Sequence, residues 1–106
     1  MSKQPIHDQI DETIHQRTRL AIMVTLGAVE SMGFDELKSQ LALTDGNLST
    51  HAAALDKAGY VKITKSFKGK KTHTAFAVTS KGRKALEKYL DLLEGMIGHA
   101  RGSASG

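Results

Sequence analysis

The sequence predicts an α+β fold that is mainly helical and carries one small β-hairpin, in the order helix, helix, helix, hairpin, helix. Apolar residues recur at spacings of three and four along most of the chain, as on helix faces, but alternate with polar residues between 61 and 78, as in strands. A length of 106 residues suits one domain. We place that domain at 6–101, between flexible ends at 1–5 and 102–106.

The first element is predicted to be one long helix. Ile6, Ile10 and Ile14 recur every four residues, and further apolar residues continue the period as far as Gly27. Acidic residues near its start suit the positive end of a helix dipole. We expect this helix to run from Ile6 to about Ala28–Glu30.

Two short helices follow, each introduced by a capping residue. Gly33 and Thr44 stand at the N-cap positions. Each precedes an inward stripe at helical spacing, formed by Leu37 and Leu41 in the first helix and by Leu48, Ala52 and Leu55 in the second. Only residues 42–44 join the two helices, so they must meet at a sharp angle. This arrangement predicts a helix-turn-helix, with its second helix at 44–58.

A hairpin and a last helix complete the chain. The alternating runs at 61–78 surround a turn at 68–71 that contains Gly69. Thr79 then caps a final helix that runs to about Gly98. A helix-turn-helix followed at once by a two-stranded hairpin predicts a winged helix-turn-helix, with the hairpin as its wing.

Composition and motifs argue against several classes of protein. There is no cysteine, which excludes disulfides and thiolate zinc sites. No apolar run is long enough for a signal peptide or a membrane span, so we expect a cytoplasmic protein. No catalytic motif stands out, so we expect neither an enzyme nor a cofactor. No two histidines show i, i+4 spacing, and we expect no metal site; a pairing of His7 with His99 across a dimer is the remaining alternative.

The charge is unevenly distributed and suggests a polyanionic partner. From Lys57 to Lys84 there are nine basic residues and no acidic one, whereas residues 1–56 carry four basic and eight acidic residues. The second helix of the pair can enter the major groove of double-stranded DNA, and the wing can contact the backbone or the minor groove. The candidate DNA contacts are Thr44, Asp45, Gly46, Asn47, Ser49, Thr50, His51, Lys57, Lys62, Lys65, Lys68, Lys70 and Lys71.

Three segments of the sequence resemble a known group of proteins. The run from Leu43 to Val61 is similar to the recognition-helix segment of winged-helix transcriptional regulators related to the MarR and ArsR families. Residues 11–22 and 78–83 resemble the first helix of that group and the start of its last helix. The wing departs from the pattern, since its tip carries lysines where relatives more often have arginines and a proline. The resemblance implies a dimeric DNA-binding regulator, a repressor or an activator, with repression the expected mode and no effector specified.

The terminal helices are the predicted homodimer interface. The stripe of the last helix could simply pack on the core, but a short domain already has inward faces on three helices and a hairpin, and pairing between two chains would bury both terminal stripes. The candidate interface residues are Ile6, Ile10, Ile14, Leu86, Tyr89, Leu90, Leu93, Met96 and Ile97. One alternative function remains open, that of a winged helix that binds another protein rather than DNA. A wing of that kind would tend to show an apolar patch instead of lysines.

Overall fold

The computed structural model describes residues 5–102, so the flexible ends expected at 1–5 and 102–106 lie outside the described residues except for Pro5 and Gly102. The elements are α1 (Ile6–Gln9), α2 (Arg17–Gly27), β1 (Met32–Gly33), α3 (Phe34–Gln40), α4 (Asp45–Lys57), β2 (Val61–Lys68), β3 (Lys71–Val78) and α5 (Ser80–Ala100). The predicted winged helix-turn-helix of the α+β class is confirmed. Helices α3 and α4 form the helix-turn-helix, and the hairpin of β2 and β3 forms the wing.

The prediction of a single long first helix is wrong. The chain leaves the helical path after Gln9 and resumes it only at Arg17. The Asp11 carboxylate accepts hydrogen bonds from the backbone N–H groups of Thr13, at 2.9 Å, and Ile14, at 3.2 Å. Short polar side chains that bond to the nearby backbone in this way compete with helix formation. The Gln16 side chain then caps α2 by accepting a hydrogen bond from the Arg19 backbone N–H.

The link between α3 and α4 is short and conformationally unusual. Ala42 has a φ of 52°, a left-handed conformation that a residue with a Cβ adopts at some cost. The backbone N–H of Leu43 donates to the Lys38 carbonyl at 2.9 Å, which closes the turn. Thr44 caps α4 as predicted, because its hydroxyl accepts a hydrogen bond from the Asn47 backbone N–H at 3.1 Å.

The sheet has three antiparallel strands in the order β1-β3-β2. The register of the wing runs from the pair Val61 and Val78 at its base to the pair Lys68 and Lys71 at its tip. Gly69 begins the two-residue turn with a φ of 66°, which glycine adopts without strain. Strand β1 was not predicted. It pairs only Met32 and Gly33 with β3, and two residues are too few to show an alternating pattern.

One hydrophobic core joins these elements. It contains Ile14, Ile22, Met23, Leu26, Met32, Leu37, Leu48, Ala52, Leu55, Val61, Phe76, Leu86 and Tyr89. Helix α5 is held against the base of the wing by Thr79, whose hydroxyl donates to the Gly59 carbonyl at 2.6 Å and accepts from the Gly82 N–H at 2.9 Å. A Cβ at Gly82 would overlap the Tyr60 carbonyl oxygen, so this contact admits no side chain.

Candidate nucleic-acid interface

The outward side of α4 carries small side chains. Leu48, Ala52 and Leu55 are buried against the core. On the opposite side lie four exposed residues at spacings of four, three and four, which we call the outer strip: Gly46, Thr50, Ala53 and Lys57. Apart from its chain neighbours and the backbone of its own helix, no atom lies within 4 Å of a Cβ built on Gly46. A flat surface can therefore approach the backbone of α4 closely.

Ala53 is a member of the outer strip that sequence reasoning missed. Its small apolar side chain gave no sign of a functional role. The signal that could have found it is positional, because residue 53 completes the helical spacing between Thr50 and Lys57 on the face opposite the buried leucines.

Two predicted contacts flank the outer strip on different sides. Ser49 faces the wing, where it lines a shallow cavity together with Ile63, Lys65 and Thr74. His51 faces α2, and its Nδ1 lies 3.2 Å from Nη1 of Arg19. Burial lowers the pKa of His51, and the neighbouring Arg19 charge lowers it further. The neutral imidazole of His51 therefore accepts a hydrogen bond from the Arg19 N–H, which joins α4 to α2.

Arg19 organises the side of α4 that faces the N-terminal segment. Its Nε donates to the Thr13 carbonyl at 2.6 Å, so one guanidinium group connects residues 12–13 to the predicted recognition helix. This role of Arg19 could not be predicted from the sequence, because Arg19 is distant in sequence from His51 and its position depends on the break before α2.

The first turn of α4 carries an acidic residue whose charge is balanced. Asp45 is exposed, and its Oδ1 lies 2.7 Å from Nζ of Lys38 on α3. The hydrogen bond to Asp45 raises the pKa of Lys38, and the charge of Asp45 adds to the effect. This pairing reduces the repulsion that a lone carboxylate would exert on a phosphate at the same place. The Thr44 hydroxyl is occupied as the helix cap, and Asn47 is exposed beside it.

All five predicted lysines of the wing are exposed, on two different faces. The register places Lys65 on the inner face with the apolar residues that meet the core, opposite Thr74. It places Lys62, Lys68 and Lys71 on the outer face, and Lys70 lies in the turn. Neither strand contains an acidic residue. The positive charge of the wing is therefore not neutralised within the hairpin.

The structure corrects part of the predicted dimer interface. Ile14, Leu86 and Tyr89 are buried within one chain. Leu86 lies beside Gly27 of α2, and the N-terminal segment folds back onto α5 instead of extending as a free helix. His15 Nδ1 lies 2.7 Å from the Tyr89 hydroxyl, which links the two segments. Ile10 and Leu93 pack partly on the same core, and Met96 is half-buried. Ile6, Leu90 and Ile97 are exposed, at 48%, 39% and 50%.

Within residues 5–102 no group of three or more histidine and acidic side chains is close enough together to hold a metal ion. Within the same range no helix combines the length and the apolar character needed to cross a membrane.

Comparison with known proteins points to one family. Residues 18–97 match the winged helix DNA-binding domain family. An uncharacterized protein of Methanocaldococcus jannaschii is 38% identical over 72 residues, which cover 68% of this chain and 78% of that protein.

Two solved structures are similar in fold. A transcriptional regulator homologue from Pyrococcus horikoshii is 27% identical, with a TM-score of 0.80 over 85% of this chain and 89% of its own. A protein from Enterococcus faecalis described as a MarR-family transcriptional regulator is 20% identical, with a TM-score of 0.73 over 90% and 86% of the two chains.

Proposed function

This chain belongs to the winged helix DNA-binding domain family, a class of transcriptional regulators rather than enzymes, and we propose that it is a homodimeric repressor specific for a double-stranded DNA sequence. The observation that carries the proposal is the exposed outer strip of α4 beside a wing that bears lysines and no acidic residue. A homodimer that covers two grooves would exclude other proteins from that stretch of DNA, which is why we propose repression.

In this proposal α4 lies in the major groove. The groove is about 12 Å wide, close to the diameter of a helix with its side chains. Gly46 and Ala53 let the helix backbone approach the base edges. Asn47, Ser49 and Thr50 are exposed and can donate and accept hydrogen bonds, as contacts with base edges require. Lys57 would contact a phosphate at the far end of the outer strip.

The wing supplies the second contact. Lys68, Lys70 and Lys71 surround its tip and can reach the phosphate backbone on either side of a minor groove. Their charge supports affinity that does not depend on base sequence and falls as salt increases. Lys65, on the inner face near Ser49, would extend this cationic surface towards α4.

The dimer is proposed to form through the terminal helices. Leu90 and Ile97 are exposed about two helical turns apart in the second half of α5, with half-buried Met96 beside Ile97. Ile6 and Ile10 lie at the other terminus and would add to the same interface. Two-fold pairing would present two α4 helices to successive major grooves, about 34 Å apart, and so requires an inverted-repeat site.

The experiment is selection of preferred sites from random duplexes at physiological salt, followed by binding measurements on an Asn47→Ala, Thr50→Ala variant. We expect an inverted repeat to be recovered. The double variant should bind that site at least about 30-fold more weakly, because two base contacts are lost and each costs about 1–3 kcal/mol. Binding to random DNA should change little. The matched control is Ser31→Ala, an exposed hydroxyl outside α4 and the wing. Equal losses on selected and random duplexes would contradict base recognition by α4.

A further inference from the structure

The wing carries one large apolar side chain that the chain itself does not cover. Phe67 is 77% exposed, against 48%, 50%, 39% and 50% for Ile6, Val24, Leu90 and Ile97. It lies on β2 immediately before Lys68, close to the tip of the hairpin. A single exposed apolar residue does not by itself require a partner, so its position and neighbours decide what it can do.

The register of the hairpin explains why Phe67 is exposed. On the inner face the cross-strand pairs run from the base of the wing to its tip as Val61 with Val78, Ile63 with Phe76, Lys65 with Thr74 and Phe67 with Thr72. The first two pairs contact the core, and the third is polar. Phe67 therefore lies beyond the reach of the core, on the same face of the wing as Ser49 and the cavity beside α4.

The neighbours of Phe67 are cationic. Lys65 precedes it on the same face, Lys68 follows it, and Lys70 and Lys71 lie across the turn. An apolar centre with a positive rim matches the DNA minor groove, where the floor and the sugars are less polar and phosphates line both edges. A protein partner for the same surface would need acidic residues around an apolar pocket, and the proposed DNA partner supplies the negative charge without such a special arrangement.

We propose that Phe67 enters the minor groove as an apolar wedge while the surrounding lysines contact the flanking phosphates. This inference rests on the proposed function and adds to it a residue with a distinct role. A wedge of this kind partly unstacks a base step, which is easiest at flexible pyrimidine–purine steps. The wing would thereby favour such a step in the site without forming hydrogen bonds to its bases.

The first test uses fluorescence, because the sequence contains no tryptophan. A Phe67→Trp variant therefore reports only on position 67. When it is titrated with the selected duplex at physiological salt, we expect its emission to be quenched by the bases and its accessibility to iodide to fall. The control is Val24→Trp, at an exposed position on α2 outside the proposed interface, whose emission and accessibility should not change.

The second test separates the wedge from charge. Phe67→Ala should weaken binding about tenfold, the size expected for loss of one aromatic–base contact. The dependence of affinity on salt should keep its slope, because no phosphate contact is lost. Phe67→Leu should retain part of the affinity, and Val24→Ala all of it.

The outcomes distinguish the wedge from the proposed function. If Phe67→Ala binds the selected duplex as tightly as the unaltered chain, or if the tryptophan of the Phe67→Trp variant stays open to iodide in the complex, the wedge is wrong and DNA binding by α4 stands. If that tryptophan is shielded before DNA is added and the shielding grows with protein concentration, position 67 contacts another copy of the chain and the wedge is again wrong. If the unaltered chain binds no duplex, both proposals fail.

Discussion

The wing and the second half of α5 both project from the same core, yet they expose opposite kinds of surface. The wing has exposed lysines, no acidic residue in either strand, and a single large apolar side chain that is exposed, Phe67. The second half of α5 carries acidic Asp91 and Glu94 beside exposed Leu90 and Ile97. A surface of one charge favours a polyanion, whereas an apolar stripe bordered by polar residues favours another apolar surface. Binding through the wing should therefore depend on salt, and association through α5 on protein concentration.

The largest expected effect comes from breaking the α5 surface. A Leu90→Glu, Ile97→Glu variant should be monomeric and should bind the inverted repeat at least about 100-fold more weakly, because the second half-site no longer adds to the first. The monomer should remain folded, because these side chains are already 39% and 50% exposed within one chain. Sedimentation equilibrium and binding titrations measure the two effects. Val24→Glu, which places a charge at a similarly exposed position on α2, should remain dimeric. If the double variant is still dimeric, the dimer does not form through α5.

Changes to the wing should alter how DNA affinity depends on salt, and should not alter how association of the chains depends on protein concentration. Replacing Lys68, Lys70 and Lys71 with alanine should reduce the slope of log K against log salt by about three for each chain of the bound dimer, with each lysine accounting for about one phosphate contact. The oligomeric state should stay the same. Lys88→Ala, an exposed lysine on α5, is the control and should leave the slope unchanged. If the slope is unaltered in the triple variant, the wing does not contact the DNA phosphates.

The contact between Asp11 in the N-terminal segment and Tyr60 should make the stability of the fold depend on pH in the alkaline range. The Tyr60 hydroxyl donates to the Asp11 carboxylate, and burial first, then this hydrogen bond, raise the pKa of Tyr60 to about 12. A raised pKa contributes stability that is fully present below the unfolded value of 10 and is lost as the pH rises through about 12. Tyr60→Phe should lose about 1 kcal/mol at neutral pH, the usual value of one hydrogen bond. It should also lose stability less steeply between pH 10 and 12, as denaturation with urea would measure. Equal slopes in the two proteins would contradict the assignment.

The smallest expected effect is a loss of stability at acidic pH, caused by protonation of His51 on α4. Because the pKa of His51 lies below 6.5, the unfolded chain binds a proton more readily than the folded one. The contribution of this residue is therefore present above pH 6.5 and is lost as the pH falls through the lower folded value. His51→Gln can still accept from Arg19 and should remove this part of the acid dependence. Urea midpoints between about pH 5 and 8 measure the difference. A variant that loses stability on acidification as steeply as the unaltered chain would show that His51 does not titrate in this way.

Much of the fold followed from local signals in the sequence. Thr44 and Thr79 mark the starts of α4 and α5 because their hydroxyls cap the first turns. Gly69 marks the turn of the wing because of its positive φ. The apolar alternation between 61 and 78 set the hairpin register, since a shift by one residue would have exposed Val61 and Ile63.

What the sequence could not reveal depends on contacts between distant residues. The spacing of Ile6, Ile10 and Ile14 fits a helix, but it says nothing of the bonds that Asp11 makes to the backbone beyond it. The positions of Ile14 and Tyr89 inside the core follow from that break. Within the candidate interface, residue types predicted the polar residues of α4 and the lysines of the wing. They did not predict the pairing of His51 with Arg19, or that Ala53 and Phe67 would lie at the surface beside them.

The close approach of Gly82 to the Tyr60 carbonyl bears on the distance between the two wings of a dimer. It is a contact of backbone with backbone, so at this point the distance between α5 and the base of the wing does not depend on a side-chain rotamer of residue 82. In a dimer paired through α5, that distance helps to set how far apart the two wings stand. The length of the spacer tolerated between the two halves of a binding site would then depend on a position that touches neither DNA nor the other chain.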